Sequence, residues 1–232
     1  ESALKLNPDD KYLSHMISSL SGKNEKTAPR EYVISLFDNF ANKFDNFLTE
    51  NLKYKVPEKL LKLLEKNIIK KKNFKNVIDI GCGTGLSGSV FRNISEYLIG
   101  VDVSAKMIDK AANKKIYDNL IQDEAVNYLN NTSKNFDLFI STDVFIYIGD
   151  LEEIFSIISL KSNPGANFCF SIEKNIIEEF KLLKSARYSH SKKYIVDLAD
   201  KYNFSIDACN ETEIRFELNS SLRGYIFILS KI

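Results

Sequence analysis

Val77-Ile78-Asp79-Ile80-Gly81-Cys82-Gly83-Thr84-Gly85 is a short β-branched run that ends in three glycines. β-Branched residues suit a pleated strand, and glycines let a chain turn sharply and let a ligand approach the backbone without interference from a Cβ. The stretch reads as a strand entering a tight turn, and Leu86 to Ile94 beyond it has helical spacing. The same alternation recurs downstream. Tyr97–Asp102, Asn119–Gln122, Phe136–Ser141 and Ala166–Ile172 read as strands, separated by helical patterns at Ala105–Ala112, Ala125–Leu129 and Leu151–Ser159. Strands alternating with helices predict an α/β fold, doubly wound, with a mostly parallel sheet and helices on both faces. Right-handed crossovers restrict how those units wind.

Upstream, the first 50 or so residues read as helical pieces. Pro8-Asp9-Asp10 is a helix-start signal with Asp9 or Asp10 as N-cap, Tyr12 to Leu20 follow at helical spacing, and Ser21-Gly22 stops the run. A second helix begins after Pro29, with Tyr32, Val33, Leu36, Phe37, Phe40, Phe44, Phe47 and Leu48 on its apolar stripe. A third follows Pro57, a residue suited to a first helical turn. Towards the end, residues 176–202 read as helical, broken around Arg187-Tyr188-Ser189-His190-Ser191. Two extended runs, 205–218 and 224–229, joined by Asn219-Ser220-Ser221, add an antiparallel hairpin to the sheet. The basic cluster Lys66, Lys70, Lys71, Lys72 and Lys75 before the first strand reads as a solvated loop.

The 232 residues, at roughly 150 per domain, favour one sizeable domain plus an appendage. The division expected is a helical extension over 1–55 and the α/β domain over 56–232. Thirty-two basic against 31 acidic residues leave a formal charge of +1, which argues modestly against a nucleic-acid partner. No apolar stretch is long enough to span a bilayer, and the start lacks a signal-peptide pattern. A cytoplasmic protein is expected. Three scattered cysteines with no CxxC make a disulfide framework or a metal site improbable.

Gly83-Thr84-Gly85-Leu86-Ser87-Gly88 matches GxGxxG, the dinucleotide fingerprint, but only weakly. The fingerprint should open directly after its strand, and Asp79 would repel a pyrophosphate. A cofactor with a cationic sulfonium and an ammonium group would instead favour a carboxylate there. Asp102 closes the second strand, where a carboxylate can accept from both hydroxyls of a ribose; its other reading is a helix N-cap.

VIDIGCGTG followed by LIGVDVSAKMIDKA resembles the first two motifs of class I S-adenosylmethionine-dependent methyltransferases. The resemblance implies a Rossmann-like seven-stranded sheet with S-adenosylmethionine as cofactor and S-adenosylhomocysteine as product. By that likeness Asp79, Gly81, Cys82, Gly83 and Gly85 hold the methionine part, Asp102 and Val103 the ribose, and Met107 packs against the adenine. Glu124 and Ala125, with a one-residue uncertainty in register, meet the adenine amino group, and Thr142 and Asp143 face the transferable methyl. YVISLFDNFANKFDNFL, LKYKVPEKLL and FDLFISTDVFIYIGDLEEIF also resemble bacterial methyltransferases fused to tetratricopeptide repeats. Residues 3–20 resemble the tail of a last repeat, which implies repeats upstream.

Methyl transfer is an in-line displacement in which the cofactor supplies the electrophile, so the protein orients the nucleophile and excludes water. The candidate catalytic residues are Asp143, Tyr147 and His190; for His190 the resemblance suggests substrate contact, with a hydrogen-bonded surface histidine as its other reading. Asp143 could take or orient a proton, or serve only as a helix cap. Arg187 and Tyr188 are candidate substrate contacts, with a surface ion pair as the alternative for Arg187. Phe37 and Phe44, with Tyr54, are expected in a lid over the cofactor, although core packing would explain the same stripe. Cys82 reads as a space-filler, since no basic neighbour would lower its thiol pKa. No Asn/Asp-Pro-Pro-aromatic tetrapeptide follows the fourth strand, so the acceptor expected is a small molecule or a protein side chain bearing O or N. The alternatives are an NAD-type oxidoreductase and a cofactor-binding interaction module without turnover.

Overall fold

The computed structural model describes residues 7, 9–68, 73–217 and 220–232. Two helices, α1 (Lys11–Ser21) and α2 (Arg30–Phe40), lead into a short helical turn at Phe44–Asn46, a π-helical turn at Phe47–Asn51 and then α3 (Val56–Asn67). The alternating part runs β1 (Phe74–Ile80), α4 (Leu86–Phe91), β2 (Ser95–Asp102), α5 (Ala105–Lys114), β3 (Asn119–Gln122), α6 (Ala125–Asn131), β4 (Phe136–Ser141), α7 (Glu152–Lys161) and β5 (Ser162–Asn175). It ends with β6 (Phe180–Leu182), β7 (Tyr188–Ser191), α8 (Lys192–Lys201), β8 (Phe204–Glu217) and β9 (Ser220–Lys231).

The main sheet runs β3-β2-β1-β4-β5 in parallel, and β9 then pairs antiparallel with both β5 and β8. Its seven strands match the doubly wound expectation. The order reverses between β1 and β4, so a crevice opens beyond their carboxyl ends, where α/β sheets bind ligands. Both faces are covered. Ile78, Ile80, Ile99, Val101, Phe139, Phe168 and Phe170 pack under α7 and α8, while Val77, Leu98, Leu138, Ile140 and Cys169 pack under Leu60 and Leu64 of α3. Adjacent strand residues such as Val77 and Ile78 thus serve opposite cores, as the two-residue period demands. Full burial of Leu60 and Leu64 stabilises by about 1.5–3 kcal/mol each.

Local signals set the ends of α1. The Asp10 carboxylate accepts the Leu13 amide at 2.9 Å, and Gly22 closes the helix at φ +76°. The second helix expected from the sequence breaks sooner than its stripe implies, ending at Phe40. The Phe stripe continues across the break because Phe37, Phe40, Phe44 and Phe47 pack edge-to-face on one another.

The helix expected over 176–202 is corrected in its first half, where β6 and β7 form a small antiparallel hairpin and β7 extends the end of β5. Leu182, Tyr188 and His190 are buried there, so strand pairing and burial override weak helical spacing. Pro8, Lys70, Lys71, Lys72 and Asn219, with residues 3–6 of the repeat-like start, lie outside the described residues. No helix among the described residues is long and apolar enough to cross a membrane.

Candidate active site

A cavity of about 310 Å³ lies at the carboxyl ends of β1, β2 and β4, beneath residues 27–54. Its floor is the glycine loop. Gly81 sits at φ +65°, and a Cβ there would stand 2.4 Å from Val144 Cγ2 in the turn after β4. Gly83 sits at φ +52° with its missing Cβ facing the ring of Phe44 at 3.8 Å. The loop can turn this tightly, so close to a second turn, only with glycine.

Asp102 closes β2 with its carboxylate at the wall. Its oxygens accept the amides of Ser104 and Gly83, each at 2.8 Å. Burial raises its pKa, and those two amides pull against the shift. Ser104, the N-cap of α5, accepts the Met107 amide at 3.1 Å. The alternative reading of Asp102 as an N-cap therefore passes to Ser104.

Beyond β4, the turn carries Thr142, Asp143 and Val144. Asp143 adopts φ +57°, the left-handed region that few non-glycine residues occupy. Its amide donates to Ser171 Oγ at 2.9 Å, and Oδ2 pairs with Nη1 of Arg215 at 2.9 Å. Arg215 on β8 is buried and also pairs with Glu173 and with Glu217. Burial raises the Asp143 pKa against the pull of Arg215, and the surrounding carboxylates hold the guanidinium protonated. Thr142 Oγ1 lies 2.5 Å from Ser87 Oγ, tying this turn to α4.

Gly81, Cys82, Gly83, Asp102, Val103, Glu124, Ala125, Thr142, Asp143, Tyr147, Phe37, Phe44 and Tyr54 all line the cavity. Six other expected site residues do not. Asp79 is 1% exposed, and its Oδ2 accepts from the Tyr117 hydroxyl at 2.7 Å on the far side of the loop. Burial pushes its pKa to about 7, with Tyr117 lowering and Asp102 raising it, and Oδ1 has no partner among the described residues. Gly85 faces Tyr117 and Ile116, since it begins α4 and turns away from the loop's inner face. Met107 is buried in the first turn of α5.

His190 is fully buried in β7, with Nε2 2.9 Å from the carbonyls of Ile148 and Gly149; desolvation lowers its pKa to about 4. It supports the loop after β4 and does not reach the cavity. Tyr188, also in β7, is buried against Ala28, Tyr32 and Leu182. Arg187 Nη2 donates to both oxygens of Glu217 at 2.6 Å, the ion pair left open as its alternative. The sequence reading missed Thr27, Arg30, Thr84, Ser87 and the Arg215 cluster. Thr84 and Ser87 lay inside the quoted motif; Arg215 carried no local signal.

Arg30 is the only lysine or arginine on the cavity wall among the described residues, and it shares that wall with Asp102, Asp123, Glu124 and Asp143. This donor set suits a cationic ligand with ribose hydroxyls and opposes a pyrophosphate. A family profile for methyltransferase domains matches residues 48–205. The chain belongs to the methyltransferase domain family. The methyl donor of this family's Rossmann-like class is S-adenosylmethionine.

Bovine 18S rRNA (guanine-N(7))-methyltransferase is 42% identical over 45 residues, covering 19% of this chain and 16% of that protein. The ubiquinone biosynthesis O-methyltransferase of Coxiella burnetii is 26% identical over 132 residues, 55% of this chain and 56% of its own length. The chain thus spans about half or less of these relatives. The N-methyltransferase NodS from Bradyrhizobium japonicum, in complex with S-adenosylhomocysteine, superposes with a TM-score of 0.67 at 12% identity, over 86% of this chain and 98% of that one. Magnesium protoporphyrin IX methyltransferase from Synechocystis with bound S-adenosylmethionine gives 0.61 at 16% identity, over 86% and 97%. At such identities the likeness concerns the fold. The NAD-type alternative is not favoured.

Proposed function

We propose that this methyltransferase domain moves a methyl group from S-adenosylmethionine to the O or N of a small acceptor with an apolar body. The observation that carries the reading is the wall charge: four carboxylates and a single arginine around a glycine loop. When bound, the cofactor supplies an electrophilic methyl on a sulfonium. Asp102 and Val103 would hold the ribose, Gly81 to Gly83 the methionine part, and Glu124 and Ala125 the adenine. Asp79, buried behind the loop and accepting from Tyr117, would steady the loop without lining the cavity.

Val33, Phe37, Phe44, Leu48, Tyr54 and Tyr147 line the cavity with apolar surface that would exclude water and grip the acceptor. Asp143, pinned by Arg215 and Ser171, would orient the acceptor's O–H or N–H. Residues up to 55 act as the lid-bearing extension in this reading, and 56–232 as the catalytic domain. Upstream repeats stay a proposal tested by the length of the natural reading frame.

Calorimetric titration with S-adenosylhomocysteine and with NAD tests the cofactor, and binding of NAD alone would overturn it. Transfer of radiolabelled methyl to phenols and amines, run beside ribosomal RNA, tests the acceptor. The short match to an rRNA methyltransferase is what favours RNA as the second reading, and labelling of RNA alone would establish it.

A further inference from the structure

Residues 30–51 cover the cavity, yet their side chains make few polar contacts with the sheet domain. Among the described residues these are Asp38 to Ser104, and Asp45 to Thr84 and to Lys114. Ser104 Oγ donates to Asp38 Oδ1 at 2.5 Å. Thr84 Oγ1 donates to Asp45 Oδ1, whose other oxygen lies 2.8 Å from Lys114 Nζ at the end of α5.

Neither hydroxyl sits at an arbitrary place. Thr84 lies between Gly83 and Gly85 in the glycine loop. Ser104 follows Asp102 by two residues, and its amide donates to the Asp102 carboxylate at 2.8 Å. Each aspartate of the covering segment therefore grips a turn that the cofactor reading assigns to the ligand. The segment is tied down at both ends as well. Ala28 donates to the Tyr147 carbonyl at 3.0 Å, and Phe216 donates to the Leu52 carbonyl at 2.9 Å. Near the second tie the helix widens into the π-helical turn Phe47–Asn51, followed by Lys53 at φ +50°. Such widened turns mark places where a helix changes path.

We propose that Asp38 and Asp45 are positioning residues, a two-point latch that couples closure of residues 30–51 to the order of both cofactor-holding turns. The proposal rests on the cofactor reading above. Coupling of this kind is reciprocal: a ligand that orders the two turns strengthens the latch, and the latch slows the ligand's escape. Binding through the glycine loop and Asp102 then reaches the lid through Thr84 and Ser104, with no contact between ligand and aspartate required.

The test uses the whole chain and S-adenosylhomocysteine. Asp38→Ala with Asp45→Ala is expected to raise the S-adenosylhomocysteine dissociation rate about tenfold, the scale of one or two lost charged hydrogen bonds. It should also speed amide exchange at residues 30–52 in the unliganded protein, while exchange in α7 stays as in wild type. Thr84→Val should raise the rate by no more than Asp45→Ala, which also frees Lys114, the pair together should be no worse than Asp45→Ala alone, and Thr84→Ser should restore the wild-type rate. Unchanged dissociation and lid exchange, or additive effects of Thr84→Val and Asp45→Ala, would overturn the latch. A wild-type protein that does not bind S-adenosylhomocysteine would instead overturn the cofactor reading. The latch would then stand or fall on lid exchange in the unliganded variants.

Discussion

The two rims of the cavity are built in different ways. On the β1–β2 rim the cavity-lining groups lie within a few residues of a strand end, and the Asp102 carboxylate is held by nearby backbone amides: Ser104 two residues on, and Gly83 across one crossover. On the β4 rim, Asp143 depends on Arg215, 72 residues away, and Arg215 in turn depends on Glu173 and Glu217. The first rim uses backbone amides that any sequence of this pattern supplies. The second uses a buried cluster of charges that is costly to desolvate and holds only if every member is present.

The largest expected effect breaks the β4 rim. Arg215→Met leaves Asp143 and Glu173 buried without their cation and should cost about 3–5 kcal/mol of stability by chemical denaturation. A loss under about 1 kcal/mol would mean that the cluster relaxes into water.

Next come the buried titratable groups behind each rim, whose pH effects have opposite sign. His190 is depressed from 6.5 to about 4, so the stability it allows above its unfolded pKa is lost as pH falls through that window. Asp79 is raised from 3.8 to about 7, so its contribution is full at low pH and lost as pH rises to about 7. Each shift is worth on the order of 3–4 kcal/mol. Asp79→Asn should therefore be more stable than wild type above pH 7 and lose stability more steeply on acidification below about pH 6.5. Denaturation curves from pH 4 to 8 check both signs, and parallel profiles for the two proteins would refute the Asp79 assignment.

Smaller effects belong to the ligand. Asp102→Ala is expected to weaken S-adenosylhomocysteine binding by about 1–3 kcal/mol in calorimetry, because charged hydrogen bonds are lost. Unchanged affinity would defeat the ribose role. Phe44→Ala, which removes edge-to-face contacts with Phe37 and Phe40, should weaken it by about 0.5–1.5 kcal/mol. An effect equal to that of Asp102→Ala would show that the lid contributes as much as the β1–β2 rim.

The sequence made the β1–β2 rim legible because strand, glycine turn and acidic strand end lie within 26 residues, 77–102, and each has a local physical cause. Phe37 and Phe44 were also readable, but only as a stripe whose destination the spacing left open, with Tyr54 expected beside it. His190, Arg187 and Tyr188 show the limit. The resemblance suggested contact with a substrate, whereas in the β6–β7 hairpin His190 and Tyr188 are buried and Arg187 pairs with Glu217.

By itself the sequence determined the alternation of strands and helices, the glycine loop and the carboxylate that closes β2, because propensity, period and turn chemistry act over short stretches of chain. Tertiary structure alone decided that Asp79 faces Tyr117 and not the cavity, that Arg215 reaches Asp143, and that Asp38 and Asp45 meet Ser104 and Thr84. Those pairings join residues 38 to 72 positions apart. They form only after the sheet has brought distant segments together, and no local pattern encodes them.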